Sequence, residues 1–243
     1  MLQLTMRDFP AEIRTLWWIE QTELSGISFE PIDRPLGTIP NLDENGRVHV
    51  TVRFDPAMAD EILWHEGAHV YLFHLGYPPC WFSPTPGPEL FAPVDFVNEY
   101  LANKLEIDRR FPTQQERLAA VRQRLLLALE RLPIRPMKAF PGVEKLAISA
   151  AMCAEIARQW TSTVALEVAE MFERTPPKVK AVYWTVSDAL KRAPPIAFGS
   201  PRLTTEDVET IKELMSTSFR RVYEDKYSIR FTPYTQAAST TEI

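Results

Sequence analysis

Five consecutive residues, His65-Glu66-Gly67-Ala68-His69, restrict this chain more than any other part of it. On a helix, histidines four apart face the same way and stand about one turn from each other. That spacing lets one nitrogen of each ring reach a single Zn2+ at about 2.0–2.1 Å. Glu66 follows the first histidine directly and so leans toward the side where a water on the ion would lie. A carboxylate there can take that water's proton as it attacks a carbonyl. Chance is the competing explanation. Yet the chain has four histidines, three of them between His65 and His74, and rings buried on a core helix need partners.

The neighbouring residues define the helix. Asp55 suits an N-cap and Pro56 the first helical position. Asp60 and Glu61 lie where the helix dipole favours negative charge. Gly76 fits the position after the helix end, and Pro78 and Pro79 forbid continuation. The helix is expected over about Pro56 to Leu75. His74 is nine residues beyond His65, about 180° around the helix, and is expected to be a core or surface histidine outside the ion's reach.

Upstream, Asp8 and Pro10 look like a helix start, with Ile13, Leu16, Trp17 and Leu24 at helical spacing. Strands are expected near Gly26 to Ile32 and Gly37 to Leu42. Asn45-Gly46 signals a tight turn. Val48, Val50, Val52 and Phe54 alternate with His49, Thr51 and Arg53 as in a half-buried strand. That places His49 opposite the valines, either solvated, paired across strands, or facing a cleft. The same strand is a candidate for binding an extended peptide by edge pairing. Gly76 to Pro93 reads as an irregular loop carrying Trp81 and Phe82, with six of the chain's 21 prolines. The two aromatics either wall a substrate site or pack on the helical half. Asp95 caps a helix over Phe96 to Arg110. Beyond it the chain reads as wholly helical: Gln114 to Leu132, Val143 to Arg174, Pro177 to Lys191 and Thr205 to Val222. Pro233 to Ile243 is polar and expected to fray.

Composition excludes several classes. A net charge of -5 with no basic cluster argues against a nucleic-acid partner. Leu146 to Ala154, the most apolar stretch, is far shorter than the roughly 20 residues of a membrane span. Met1 to Pro10 carries Arg7 and Asp8 and is not expected to be a signal peptide. The two cysteines, Cys80 and Cys153, are too few for a disulfide framework, so reduced thiols in the cytoplasm are expected. No feature fixes an oligomeric state.

A catalytic zinc site has three protein ligands and one open position. Leu72 stands where a His-x-x-Gly-x-x-His continuation would need glycine, so a carboxylate must supply the third bond. Glu89, Asp95, Glu99 and Glu106 are near in sequence. Glu89 sits in the proline-rich loop, a poor platform. Glu99 lies on the next helix, which can present it toward His65 and His69. Asn103, one turn on, could orient a ligand by a hydrogen bond. His49, Tyr71 and Tyr100 are candidates for stabilising an oxyanion.

His65-Glu66-Gly67-Ala68-His69 followed by Glu99 on a helix resembles the gluzincin metallopeptidases. Glu99-Tyr100-Leu101-Ala102-Asn103 is similar to the Glu-x-x-Ala-Asn helix of the ImmA/IrrE family of small zinc peptidases. The resemblance covers roughly residues 10 to 110. It implies an α+β fold with a zincin-like core, in which a small sheet packs on the motif helix and the Glu-bearing helix. Asn103 stands where thermolysin-like gluzincins commonly carry Asp. The expected organisation is a zincin-like catalytic region over 1–112, a helical region over 113–232 and a flexible tail over 233–243. The expected activity is hydrolysis of a cytoplasmic peptide or protein by a zinc peptidase, with His65, His69 and Glu99 on the ion and Glu66 as base. The rivals are a catalytically silent zinc-binding regulatory or structural protein, and a helical interaction protein whose motif is accidental.

Overall fold

Alternation builds the first sheet. Val50 and Val52 are buried while His49, Thr51 and Arg53 between them are half-buried, which makes this strand, β3 (Val48–Phe54), two-faced. In the computed structural model, which describes residues 26–31, 37–42, 48–54, 59–84, 94–129, 143–224 and 227–231, β3 is the central strand. β1 (Gly26–Pro31) runs parallel to it on one side, and β2 (Gly37–Leu42) runs antiparallel on the other. The expectation that Val48 to Phe54 offers a free edge is therefore corrected. Both of its sides are taken, and the edges belong to β1 and β2. Pro40 fits this, because a proline lacks the N–H of an inner ladder and is tolerated on an edge strand.

The chain is α+β and mostly helical, with seven helices and a second, two-stranded sheet among the described residues. The motif helix, α1 (Ala59–His74), packs on β2 and β3. Its end is set by Gly76, whose φ of 97° favours glycine. Tyr77 N–H donates to Leu72 O (2.9 Å) and Gly76 N–H to Phe73 O (3.0 Å), a Schellman closure. Leu203 N–H satisfies Leu75 O at 2.8 Å. The expected caps Asp55 and Pro56, the helix start at Asp8, the Asn45-Gly46 turn, Glu89 and the tail from Pro233 lie outside the described residues.

Two compact units emerge. The described residues up to Pro79, with Ser200–Thr204, form one; Cys80–Gly199 and Thr205–Arg230 form the other. The second contains α2 (Phe96–Arg110), whose buried Val97, Tyr100, Leu101 and Leu105 belong to the helical core. It packs on α3 (Gln114–Leu129), α4 (Val143–Ala157), α6 (Pro177–Leu190) and α7 (Thr205–Tyr223).

At the heart of that unit, α4 lies against α6. Ala147, Ala150, Ala151, Ala154 and Ala157 are buried, and such small side chains let the backbones come close. The helix expected over Val143 to Arg174 is two. Thr161 turns extended (φ -158°, ψ 139°) and its hydroxyl accepts from Thr163 N–H at 3.2 Å, starting α5 (Ser162–Glu173). Two further expectations are corrected. The loop from Gly76 contains a strand, β4 (Cys80–Pro84), and the C-terminal half is not wholly helical, because β5 (Tyr227–Phe231) pairs with β4. Phe82 stacks on Phe219 of α7 with ring centroids 4.9 Å apart, so this aromatic packs on the helical half.

α2 and α3 are tied by a buried charge. Glu106 is 2% exposed and accepts from Arg124 Nη2 at 2.5 Å, with Arg110 at 3.7 Å. Replacing Arg124 by alanine takes the nearer of two guanidinium groups away from a carboxylate that is out of water. Arg124→Ala should cost on the order of 3 kcal/mol, read as a lower urea midpoint at unchanged slope. A midpoint equal to wild type would mean that the pair is dispensable.

Candidate metal centre

Helix α1 carries polar groups at an unusual depth. Every residue from Glu66 to Leu75 is buried, and among them Glu66, His69 and His74 are 7%, 7% and 8% exposed. Ionisable side chains this deep cost free energy unless something satisfies them. His74 stacks on Tyr71 at 6.1 Å between ring centroids. It is a core histidine, as its angle around the helix requires.

His65 and His69 face one another. Their Nε2 atoms are 3.0 Å apart, with rings edge-on at 87°. Two imidazole nitrogens this close share either a proton or a cation. Around a tetrahedral ion with bonds of about 2.0–2.1 Å, two ligand nitrogens stand about 3.3–3.4 Å apart, so a few tenths of an ångström would open the pair to hold one. Imidazole donors suit zinc and its neighbours in the transition series rather than magnesium or calcium. The pair therefore passes the test of fit for the ion that the sequence predicts.

Glu66 is held from the sheet. The Thr38 hydroxyl on β2 donates to Glu66 Oε2 at 2.6 Å and lies 3.4 Å from the Glu66 main-chain oxygen. Gly37, with φ of 86°, brings its backbone against the same carboxylate; a Cβ built there would stand 3.6 Å from Oε2 and 3.7 Å from Oε1. Nothing in the sequence singled out Thr38. The one available signal was a Gly-Thr pair opening a strand, which is common without function.

Glu99 and Asn103 belong to the second unit. Asp95 caps α2 by accepting from Asn98 N–H at 3.0 Å, which sets Glu99 in the first turn, half-buried. Negative charge is favoured there by the helix dipole. The Asn103 amide donates to the main-chain oxygen of Glu99 at 2.6 Å, and its own oxygen accepts from Arg124. Asn103 thus engages the backbone of the turn that bears Glu99, not the carboxylate. Glu106, another sequence candidate, is committed to Arg124. Asp95 is committed to its cap and to the Cys80 thiol, which donates to Oδ2 at 3.1 Å. Burial, then the Asp95 charge, pushes the Cys80 thiol well above its usual range, so it stays protonated and is no thiolate ligand. Cys153 is raised to about 11 by burial, and both cysteines are free.

Of the oxyanion candidates, Tyr100 lies among the helices of the second unit. Burial, then the Glu155 charge, pushes its hydroxyl up to about 12. His49 is half-buried on β3, in register with Asn41 and Gly26. No helix among the described residues is long and apolar enough to cross a membrane. Comparison with protein families, with curated proteins and with solved structures finds no match to this chain.

Proposed function

We propose that this protein is a zinc-dependent peptidase with a zincin-like core, acting on a peptide or protein of the cytoplasm. The observation that carries the reading is the pair of Nε2 atoms 3.0 Å apart beside a buried, hydrogen-bonded Glu66. A structural pair of histidines would not require a buried carboxylate at the next position. Glu99 is the third ligand in this reading, since two imidazoles and one carboxylate make a donor set that could hold a metal and leave one position open.

Bound there, zinc supplies the Lewis acidity that activates a water and polarises the scissile carbonyl. Glu66 accepts the proton of the attacking water and delivers it to the leaving amine. Because Glu66 binds no metal in this scheme, its carboxylate is available for that transfer. His65 and His69 keep their Nε2 lone pairs for the ion, so their Nδ1 atoms carry the protons.

The test has two parts. Purified protein should contain about one zinc per chain by elemental analysis, and His65→Ala or His69→Ala should lose it. Zinc-loaded protein should cleave members of a set of internally quenched peptides. Absence of zinc together with failure to take it up would overturn the metal reading. Zinc without cleavage of any peptide would favour the silent regulatory protein.

A further inference from the structure

Thr38 comes from an edge strand, yet its hydroxyl is spent inside the molecule. A threonine hydroxyl has one proton to give. Of its two contacts on Glu66, the 2.6 Å approach to Oε2 is the hydrogen bond, and the 3.4 Å approach to the main-chain oxygen is marginal. No described residue bonds to the other carboxylate oxygen, Oε1. The backbone of Gly37 covers part of the same group, with a Cβ position 4.0 Å from Cδ. A carboxylate tethered through one oxygen and backed by main chain cannot swing freely about its last torsions.

We propose that Thr38 is a positioning residue for the general base. It fixes the Glu66 carboxylate through Oε2 so that Oε1 is the oxygen that receives the proton of the attacking water. Gly37 enables this in two ways. Its positive φ turns the start of β2 so that the next hydroxyl reaches α1. Its missing side chain keeps everything beyond a Cβ away from the carboxylate. The inference rests on the peptidase reading and adds to it the device that aims the base.

The experiment compares Thr38→Val with Thr38→Ser. Valine keeps the branched shape that suits a strand and removes the hydroxyl; serine keeps the hydroxyl and weakens the strand preference. Positioning predicts that Thr38→Val, still carrying one zinc, loses about 10–100-fold in kcat on a quenched peptide with KM nearly unchanged, the usual effect of a misplaced reacting group. Thr38→Ser should stay near wild type. A role of Thr38 confined to strand packing predicts the reverse order.

A second measurement needs no turnover. In the metal-free protein, Thr38→Val should lower the ratio of folded to unfolded chains by roughly 10–100-fold, the worth of one hydrogen bond to a carboxylate. In a Glu66→Leu background it should have almost no effect. Full kcat in Thr38→Val, or no coupling in that cycle, overturns the role of Thr38 while leaving the peptidase intact. A wild type that takes up zinc and hydrolyses none of the peptides overturns the peptidase reading, and the role of Thr38 with it.

Discussion

Glu66→Gln is expected to fold, to bind one zinc, and to lose peptide hydrolysis by about 10²–10⁴-fold, the range that a general base contributes. The substitution keeps the volume and keeps an oxygen that can accept from the Thr38 hydroxyl, which now bonds to Oε2 at 2.6 Å. It removes only the capacity to take a proton. The local fold should tolerate the change, because Gly37 places backbone rather than a charged partner against the group. The decisive comparison is kcat with zinc content on the same sample. Equal turnover in the two proteins would refute the mechanism even with zinc in place. A large loss of zinc in Glu66→Gln would mean instead that Glu66 helps hold the ion.

How much of this was legible beforehand depends on the range of the interaction involved. The motif helix, β3 and the helix bearing Glu99 were readable because each carries a local signal: histidines at four-residue spacing, strict alternation, and Asp95 at a cap. The Gly76 closure was readable for the same reason, since a positive φ after a helix selects glycine. Strands β4 and β5 were hidden for opposite reasons. Cys80 to Pro84 is bracketed by prolines that suggest a loop. Tyr227 to Phe231 does alternate, with Tyr227 buried and Ser228 and Arg230 exposed, but five residues after a long run of helices make a weak pattern. The break at Thr161 carried a Thr-Ser-Thr cap signal, which the alanine-rich helical periodicity on either side masked.

Long-range contacts left no such trace. The Thr38 to Glu66 bond spans 28 residues, and the Glu106 to Arg124 pair spans 18. In neither case does spacing or residue type announce the partner. The same limit applied to the strand expected to have a free edge. Alternation says that β3 has two faces but cannot say how many neighbours it has, and the pairing on both sides is set by β1 and β2. The division into units followed the same logic. Glu99 is near the motif in sequence, and the apolar face of α2 is spent in the helical core.

That division makes Glu99→Ala the sharpest test of the ligand set. Glu99 is half-buried in the first turn of a helix whose cap is Asp95. Removing it forfeits an interaction with the helix dipole of about 0.3–1 kcal/mol, so the fold should survive with a small change in its urea midpoint. Zinc affinity should fall by more than the roughly 10–100-fold that loss of an outer-sphere partner costs, measured by competition with a chromophoric chelator. Glu106→Ala is the informative contrast. It removes a residue 2% exposed and paired with Arg124, so it should lower stability while leaving zinc affinity close to wild type. Asn103→Ala should fall between the two, because its amide holds the main-chain oxygen of Glu99 rather than the carboxylate. If Glu99→Ala binds zinc as tightly as wild type, the ion has only the two histidines from this set, and the gluzincin-like reading of the chain fails. If Glu106→Ala rather than Glu99→Ala loses the metal, the carboxylate has been assigned about two turns away from its true position along the same helix.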